Sequence, residues 1–196
     1  MARAVAEERP AALTDRIEGA ASGTPGRVYL VGFMGSGKTT SGRLLASRWE
    51  VPFVDLDLAF ESMSGKTIRE TFETHGEAYF RQREAELLRG TATLADAVIA
   101  LGGGTFTFPE NVRFVKEHGV SVFLDPPFEV LAERLAAKAA DRPLFGSLES
   151  ARLLWEARRA FYKMADRTLD VNHESTPGDV AGRLALLLDP RIAGAS

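Results

Sequence analysis

The chain has 196 residues and a formal charge of −3, from 24 Lys+Arg against 27 Asp+Glu, with 45% hydrophobic and 26% charged residues. That length suits one domain burying its own core, and the acidic balance excludes a generally basic nucleic-acid-binding face. With no cysteine, a disulfide scaffold, a thiolate metal site and a cysteine nucleophile are all excluded, and no apolar run approaches the roughly 18 residues of a membrane span.

In chain order, residues 1–26 come first, with Arg3, Arg9 and Arg16 set against Glu7, Glu8, Asp15 and Glu18 and no aromatic residue. With no apolar core for a signal peptide, the segment reads as a flexible extension, with helical tendency over Ala11–Ala20, closed by the breakers Ser22–Gly26. From Arg27 onward, apolar runs predict strands at Val28–Val31, Pro52–Val54, Ala97–Leu101, Val120–Leu124 and Leu169–Val171. Amphipathic stretches between them predict helices at Lys38–Trp49, Thr67–Thr93, Pro109–Glu117, Phe128–Lys138 and Leu148–Ala165. A last helix opens at Thr176-Pro177 and runs to about Leu188. Buried strands spaced by helices imply an α/β fold with a parallel sheet, whose ligands bind at the carboxyl ends of the strands. One domain over 27–189 and a short tail over 190–196 account for the rest.

Gly32-Phe33-Met34-Gly35-Ser36-Gly37-Lys38-Thr39 fits G-x-x-x-x-G-K-[ST], between a predicted strand and a predicted helix. The glycines let backbone N–H groups turn inward around phosphate, the helix N-terminus adds positive potential, Lys38 reaches the β- and γ-phosphates and Thr39 offers a hydroxyl to Mg²⁺. Ser64-Gly65-Lys66-Thr67 repeats only the tail of this motif, with Phe60 where a glycine is required; it reads as a turn with Thr67 capping the next helix.

Four further features narrow the substrate. Asp55-Leu56-Asp57 follows the second strand, where alternation puts both carboxylates on one side; Asp57 as the cap of a helix near Leu58 is the plainer alternative. Phe80-Arg81-Gln82-Arg83-Glu84 lies in a helix, and Arg81 is also spaced to pair with Glu77. Gly102-Gly103-Gly104 follows the Ala97–Leu101 strand, where bare backbone can approach a ligand. Arg142-Pro143-Leu144-Phe145 sits in a candidate lid between two helices. Asp125, closing an apolar strand, is a second metal candidate after Asp55, although Pro126-Pro127 favours a turn there. His75, His118 and His173 show no ligand spacing, and Trp49 and Trp155 read as helix packing.

GFMGSGKTT, VDLDLAFE, FRQRE, LGGG, DRPLF and RRAFY, in this order from about Arg27 to Leu188, resemble the shikimate kinases. The resemblance implies a three-layer α/β/α P-loop kinase fold around a five-stranded parallel sheet. It implies transfer of the γ-phosphoryl of ATP to the 3-hydroxyl of shikimate, with one Mg²⁺ per site, by a cytoplasmic monomer with no nucleic-acid or membrane partner. By the same resemblance Gly35, Ser36, Gly37, Lys38, Thr39 and Thr40 bind nucleotide, with Arg142 reaching over the phosphates and Arg134 stacking on adenine. Asp57, Arg81, Gly102, Gly103, Gly104 and Arg158 bind shikimate, Thr39 and Asp55 hold Mg²⁺, and Lys38, Asp57 and Arg142 carry catalysis. The family often has R-x-P-x-Y where this chain has Arg158-Arg159-Ala160-Phe161-Tyr162, so Arg159 stands beside Arg158 as a rival. A kinase of another small polyol such as gluconate, which would keep Lys38 and Thr39, is the alternative enzyme, and a nucleotide-dependent regulatory module is the alternative without chemistry.

Overall fold

The computed structural model describes residues 26–138 and 147–189. The expectations placed on the extension, the C-terminal tail, Arg142 and the rest of the lid up to Gly146 lie outside the described residues.

Five strands form one parallel sheet: β1 (Arg27–Val31), β2 (Phe53–Asp55), β3 (Ala97–Ala100), β4 (Val120–Asp125) and β5 (Arg167–Asp170), in the spatial order β2-β3-β1-β4-β5. β1 is central, paired with β3 (Leu30 beside Ala100) and with β4 (Val31 beside Phe123). The loop after β1 therefore emerges in the middle of the carboxyl edge, where strand order reverses.

Period-2 alternation sends Tyr29, Val31, Ile99 and Phe123 to one face and Val28, Leu30, Val98 and Val122 to the other. The second face is covered by α1 (Lys38–Trp49) and α7 (Pro177–Leu188), through Leu45, Ala46, Val180, Ala181 and Leu184. The first face is covered by α3 (Ile68–Gly90), α4 (Pro109–His118), α5 (Phe128–Lys138) and α6 (Leu148–Tyr162), through Leu88, Val112, Val115, Leu131 and Tyr162. A membrane-spanning helix is absent among the described residues.

Two predicted elements change. Asp55, not Asp57, caps the short helix α2 (Leu56–Ser64): its Oδ1 accepts from the backbone N–H groups of Asp57 and Leu58 at 3.1 and 3.2 Å. Asp57 therefore belongs to the first turn of a helix, and strand alternation is not what brings the two carboxylates together. The long helix predicted over 67–93 is broken at Gly76, whose φ of 80° and ψ of 165° are not helical. Thr67 does cap it, in a capping box with Glu70.

α1 lies close to the sheet because Gly42 has no side chain. A Cβ there would stand 2.7 Å from Leu30 Cδ1 and 2.8 Å from Phe53 Cε2. Gly42→Val should overpack this contact and cost about 1–3 kcal/mol, read as a lower denaturation midpoint with an unchanged m-value.

Candidate active site

The phosphate loop joins β1 to α1. Gly35 and Gly37 hold φ of 79° and 100°, left-handed conformations that glycine adopts without strain. Gly37 is also the residue before α1, so its turn aims the helix N-terminus into the loop. Lys38 folds back over the loop, its Nζ donating to the carbonyls of Gly32 at 2.8 Å and Phe33 at 3.0 Å. Burial pushes the lysine down to about 8, against the opposing pull of Asp57 and Asp55 and with Arg158 pushing the same way. The Ser36 side chain is buried and Thr40 is exposed on the first turn of α1. Arg134, on α5, leans on the loop and donates to Gly35 O at 2.9 Å.

Beside Lys38, the Thr39 hydroxyl donates to Asp55 Oδ2 at 2.6 Å. This pair places a hydroxyl and a carboxylate side by side next to the phosphate loop. Hard oxygen donors of this kind suit Mg²⁺, which keeps several waters and takes only one or two protein ligands along with substrate phosphates. A cluster of three or more His, Cys, Asp or Glu suited to a metal is absent among the described residues.

Beyond the phosphate loop, α2 and α3 bring carboxylates and an arginine to the end of β3. Arg81 donates through Nε (3.1 Å) and Nη2 (3.0 Å) to Glu77 Oε1 and through Nη1 (2.8 Å) to Glu84 Oε2. The i, i+4 pairing with Glu77 is therefore real, but it is half of the arrangement. A guanidinium has five N–H groups, so two remain for a ligand. Its side chain is only 15% exposed, packed over the rings of Phe80 and Phe108. Glu84 is the residue that sequence reasoning passed over: it is buried, and its other oxygen accepts from the Thr105 hydroxyl at 2.6 Å. Its signal was present in the Arg81–Glu84 spacing, within a motif whose charges resemble a solvated face.

The glycine triplet closes the site. A Cβ at Gly102 would collide with Glu84 Oε1, and would lie 2.6 Å from Asp57 Oδ1; one at Gly104 would lie 2.6 Å from both terminal nitrogens of Arg81. Gly103 sits between the phosphate loop and α6, its Cβ position 3.9 Å from Met34 N, 3.6 Å from Arg158 Nη1 and 4.0 Å from the Tyr162 hydroxyl. Tyr162 donates to Gly103 O. The rivalry on α6 is resolved by partners, because Arg159 is committed to Asp125 at the end of β4 while Arg158 faces the triplet. Asp125 is thus half of an ion pair.

With this geometry in view, the comparisons with known proteins decide the family. The family model described as shikimate kinase matches residues 34–188. The chain belongs to the shikimate kinase family. Its members are ATP-dependent kinases, which accounts for a phosphate loop facing an arginine and a carboxylate. The shikimate kinase of Aquifex aeolicus is 39% identical over 169 residues, 86% of this chain and 99% of that protein. The solved shikimate kinase of Acinetobacter baumannii, in complex with shikimate, superposes with a TM-score of 0.77 at 35% identity, covering 83% of this chain and 92% of that one. A gluconokinase from Sinorhizobium meliloti superposes with a TM-score of 0.53 at 21% identity over 87% and 94% of the two chains, a likeness of fold alone.

Asp57 carries the electrostatic cost of this site. Burial, then the Glu84 charge, raise its carboxyl to about 6, with Asp55 adding to the rise and Lys38 and Arg81 opposing it. A raised folded pKa means the folded state holds the proton more tightly than the unfolded chain. The charged carboxylate therefore destabilises the fold above pH 6, and the penalty fades as pH falls toward 4. In metal-free, ligand-free protein, Asp57→Asn should add on the order of 1–2 kcal/mol at pH 7 and little at pH 4, measured by denaturant titration in EDTA.

Proposed function

We propose that the residues gathered here divide the phosphorylation of shikimate by ATP between an anion-binding half and an acceptor-binding half. The turned-in backbone of Gly35–Gly37, Lys38, Thr39 and Thr40 takes the triphosphate, with Arg134 beside it at the adenine and Arg142 over the phosphates. Thr39 and Asp55 hold Mg²⁺, which supplies charge neutralisation on the phosphates when bound. Phosphoryl transfer needs little covalent help from a protein, so positioning and neutralisation are the work to be done.

On the acceptor side, Arg81 and Arg158 take the carboxylate from two different helices, fixing its direction as well as its place. The bare backbone of Gly102–Gly104 forms the floor against which the ring lies. Asp57, ionised at neutral pH with a pKa of about 6, accepts the hydrogen bond of the attacking hydroxyl and then its proton. The observation that carries this reading is the half-satisfied Arg81: buried, oriented by two glutamates, and retaining two N–H groups beside Asp57 and the glycine floor. Gluconate also bears a carboxylate, so the choice of shikimate over it rests on the family to which the chain belongs and on the test below. Residues 27–189 form the catalytic domain of a cytoplasmic monomer acting on small molecules, without nucleic acid or membrane.

The test is ADP release from Mg-ATP with shikimate, with gluconate or with no acceptor, beside Lys38→Ala as the blank. Release that requires both shikimate and Lys38 is expected. Arg81→Ala should weaken shikimate about 10–100-fold, the worth of one charged fork, with ATP affinity nearly unchanged. Gluconate-driven release, or equal losses for both ligands, would overturn the assignment.

A further inference from the structure

α6 carries two arginines in succession, and consecutive helical side chains point about 100° apart. The roll of α6 therefore decides which guanidinium enters the acceptor site. On one face, Arg158 and Tyr162, four residues apart, address Gly103: Tyr162 donates to its carbonyl and Arg158 Nη1 lies 3.6 Å from its Cβ position. On the adjoining face, Trp155 and Arg159, also four apart, address β4 and the start of α5. The Trp155 ring packs on Phe128 with centroids 5.5 Å apart, and the Arg159 guanidinium lies over Trp155 at 5.2 Å.

Arg159 reaches both oxygens of Asp125, through Nε at 3.2 Å and Nη2 at 2.6 Å. The Asp125 side chain is 9% exposed against 38% for Arg159, so the carboxylate is the fixed member. Asp125 ends β4, and the carbonyl of the preceding Leu124 lies 2.8 Å from the Cβ position of Gly32, the first residue of the phosphate loop. The strand end that backs the phosphate loop is thus the one to which α6 is tied. A two-point fork resists rotation in a way that a single point charge does not.

We infer that the Asp125–Arg159 fork is a positioning device, setting the roll of α6 so that Arg158 and not Arg159 meets the acceptor's carboxylate. The inference rests on the acceptor-site reading of Arg158 given above. Both members are engaged with each other rather than with Gly102–Gly104, so loss of the fork shows in how well shikimate is held and leaves the phosphate half alone.

The experiment is calorimetry and steady-state kinetics on Asp125→Asn, Arg159→Gln, Arg159→Lys, the Asp125→Asn/Arg159→Gln double variant and Arg158→Ala. Each uncharged single variant should raise the Kd and KM for shikimate about 3–10-fold with kcat and the ATP KM within about twofold. The double variant should be no worse than either single one, the non-additivity expected of residues acting as a unit. Arg159→Lys, which keeps charge without the fork, should recover only part of the loss. Shikimate affinity unchanged in the two uncharged single variants, additive losses in the double, or equal losses for ATP would overturn the inference while Arg158→Ala still weakens shikimate. If Arg158→Ala itself leaves shikimate affinity intact, the acceptor-site reading fails instead.

Discussion

Everything gathered around the end of β3 depends on a stretch of backbone that carries no side chains. At the end of β3, Gly102–Gly104 pass within contact of Asp57 and Glu84 on one side, Arg81 on another, and Arg158 and Tyr162 on a third. A methyl group at the first or third position would occupy space already held by a charged atom. Four elements, α2, α3, β3 and α6, can therefore converge on one point only because the fourth partner is bare main chain. Glycine serves the opposite half as well, where Gly35 and Gly37 turn the loop after β1 through left-handed conformations.

The convergence has an electrostatic cost, and that cost is tied to the chemistry. Asp57 and Glu84 meet across Gly102, and Lys38 is buried against carbonyls of its own loop. Burial works against the charged form of both Asp57 and Lys38, lifting the acid to about 6 and lowering the base to about 8. Lys38 and Asp57 are thus two groups whose charged forms the packing of this site disfavours. Arg81 shows the complementary strategy, in which two glutamates orient a guanidinium while using only three of its five N–H groups.

How much of this the sequence discloses depends on whether the information is local. The phosphate loop is legible because G-x-x-x-x-G-K-T lies between a strand and a helix, and the five parallel strands follow from short apolar runs with helices between them. The break at Gly76 was not legible, since a single glycine within an amphipathic run is compatible with an unbroken helix. Strand alternation is the wrong ground for pairing Asp57 with Asp55, because the Asp55 carboxylate starts a helix whose first turn holds Asp57. Glu84 and the choice between Arg158 and Arg159 depend on which face of a helix meets which loop, and that is a property of packing. For Arg158 and Arg159 the deciding fact lies at Asp125, 34 residues away from Arg159 in the chain.

If bare backbone at the end of β3 creates the acceptor site by letting Asp57, Glu84 and Arg81 close around it, a single methyl group there must weaken binding of the acceptor. Calorimetric titration of Gly102→Ala with shikimate and, separately, with a non-hydrolysable ATP analogue tests it most directly. The expected result is at least about a tenfold loss of shikimate affinity, equivalent to about 1.4 kcal/mol, with analogue binding and the folded state retained. Shikimate binding as tight as in the unsubstituted protein would contradict it.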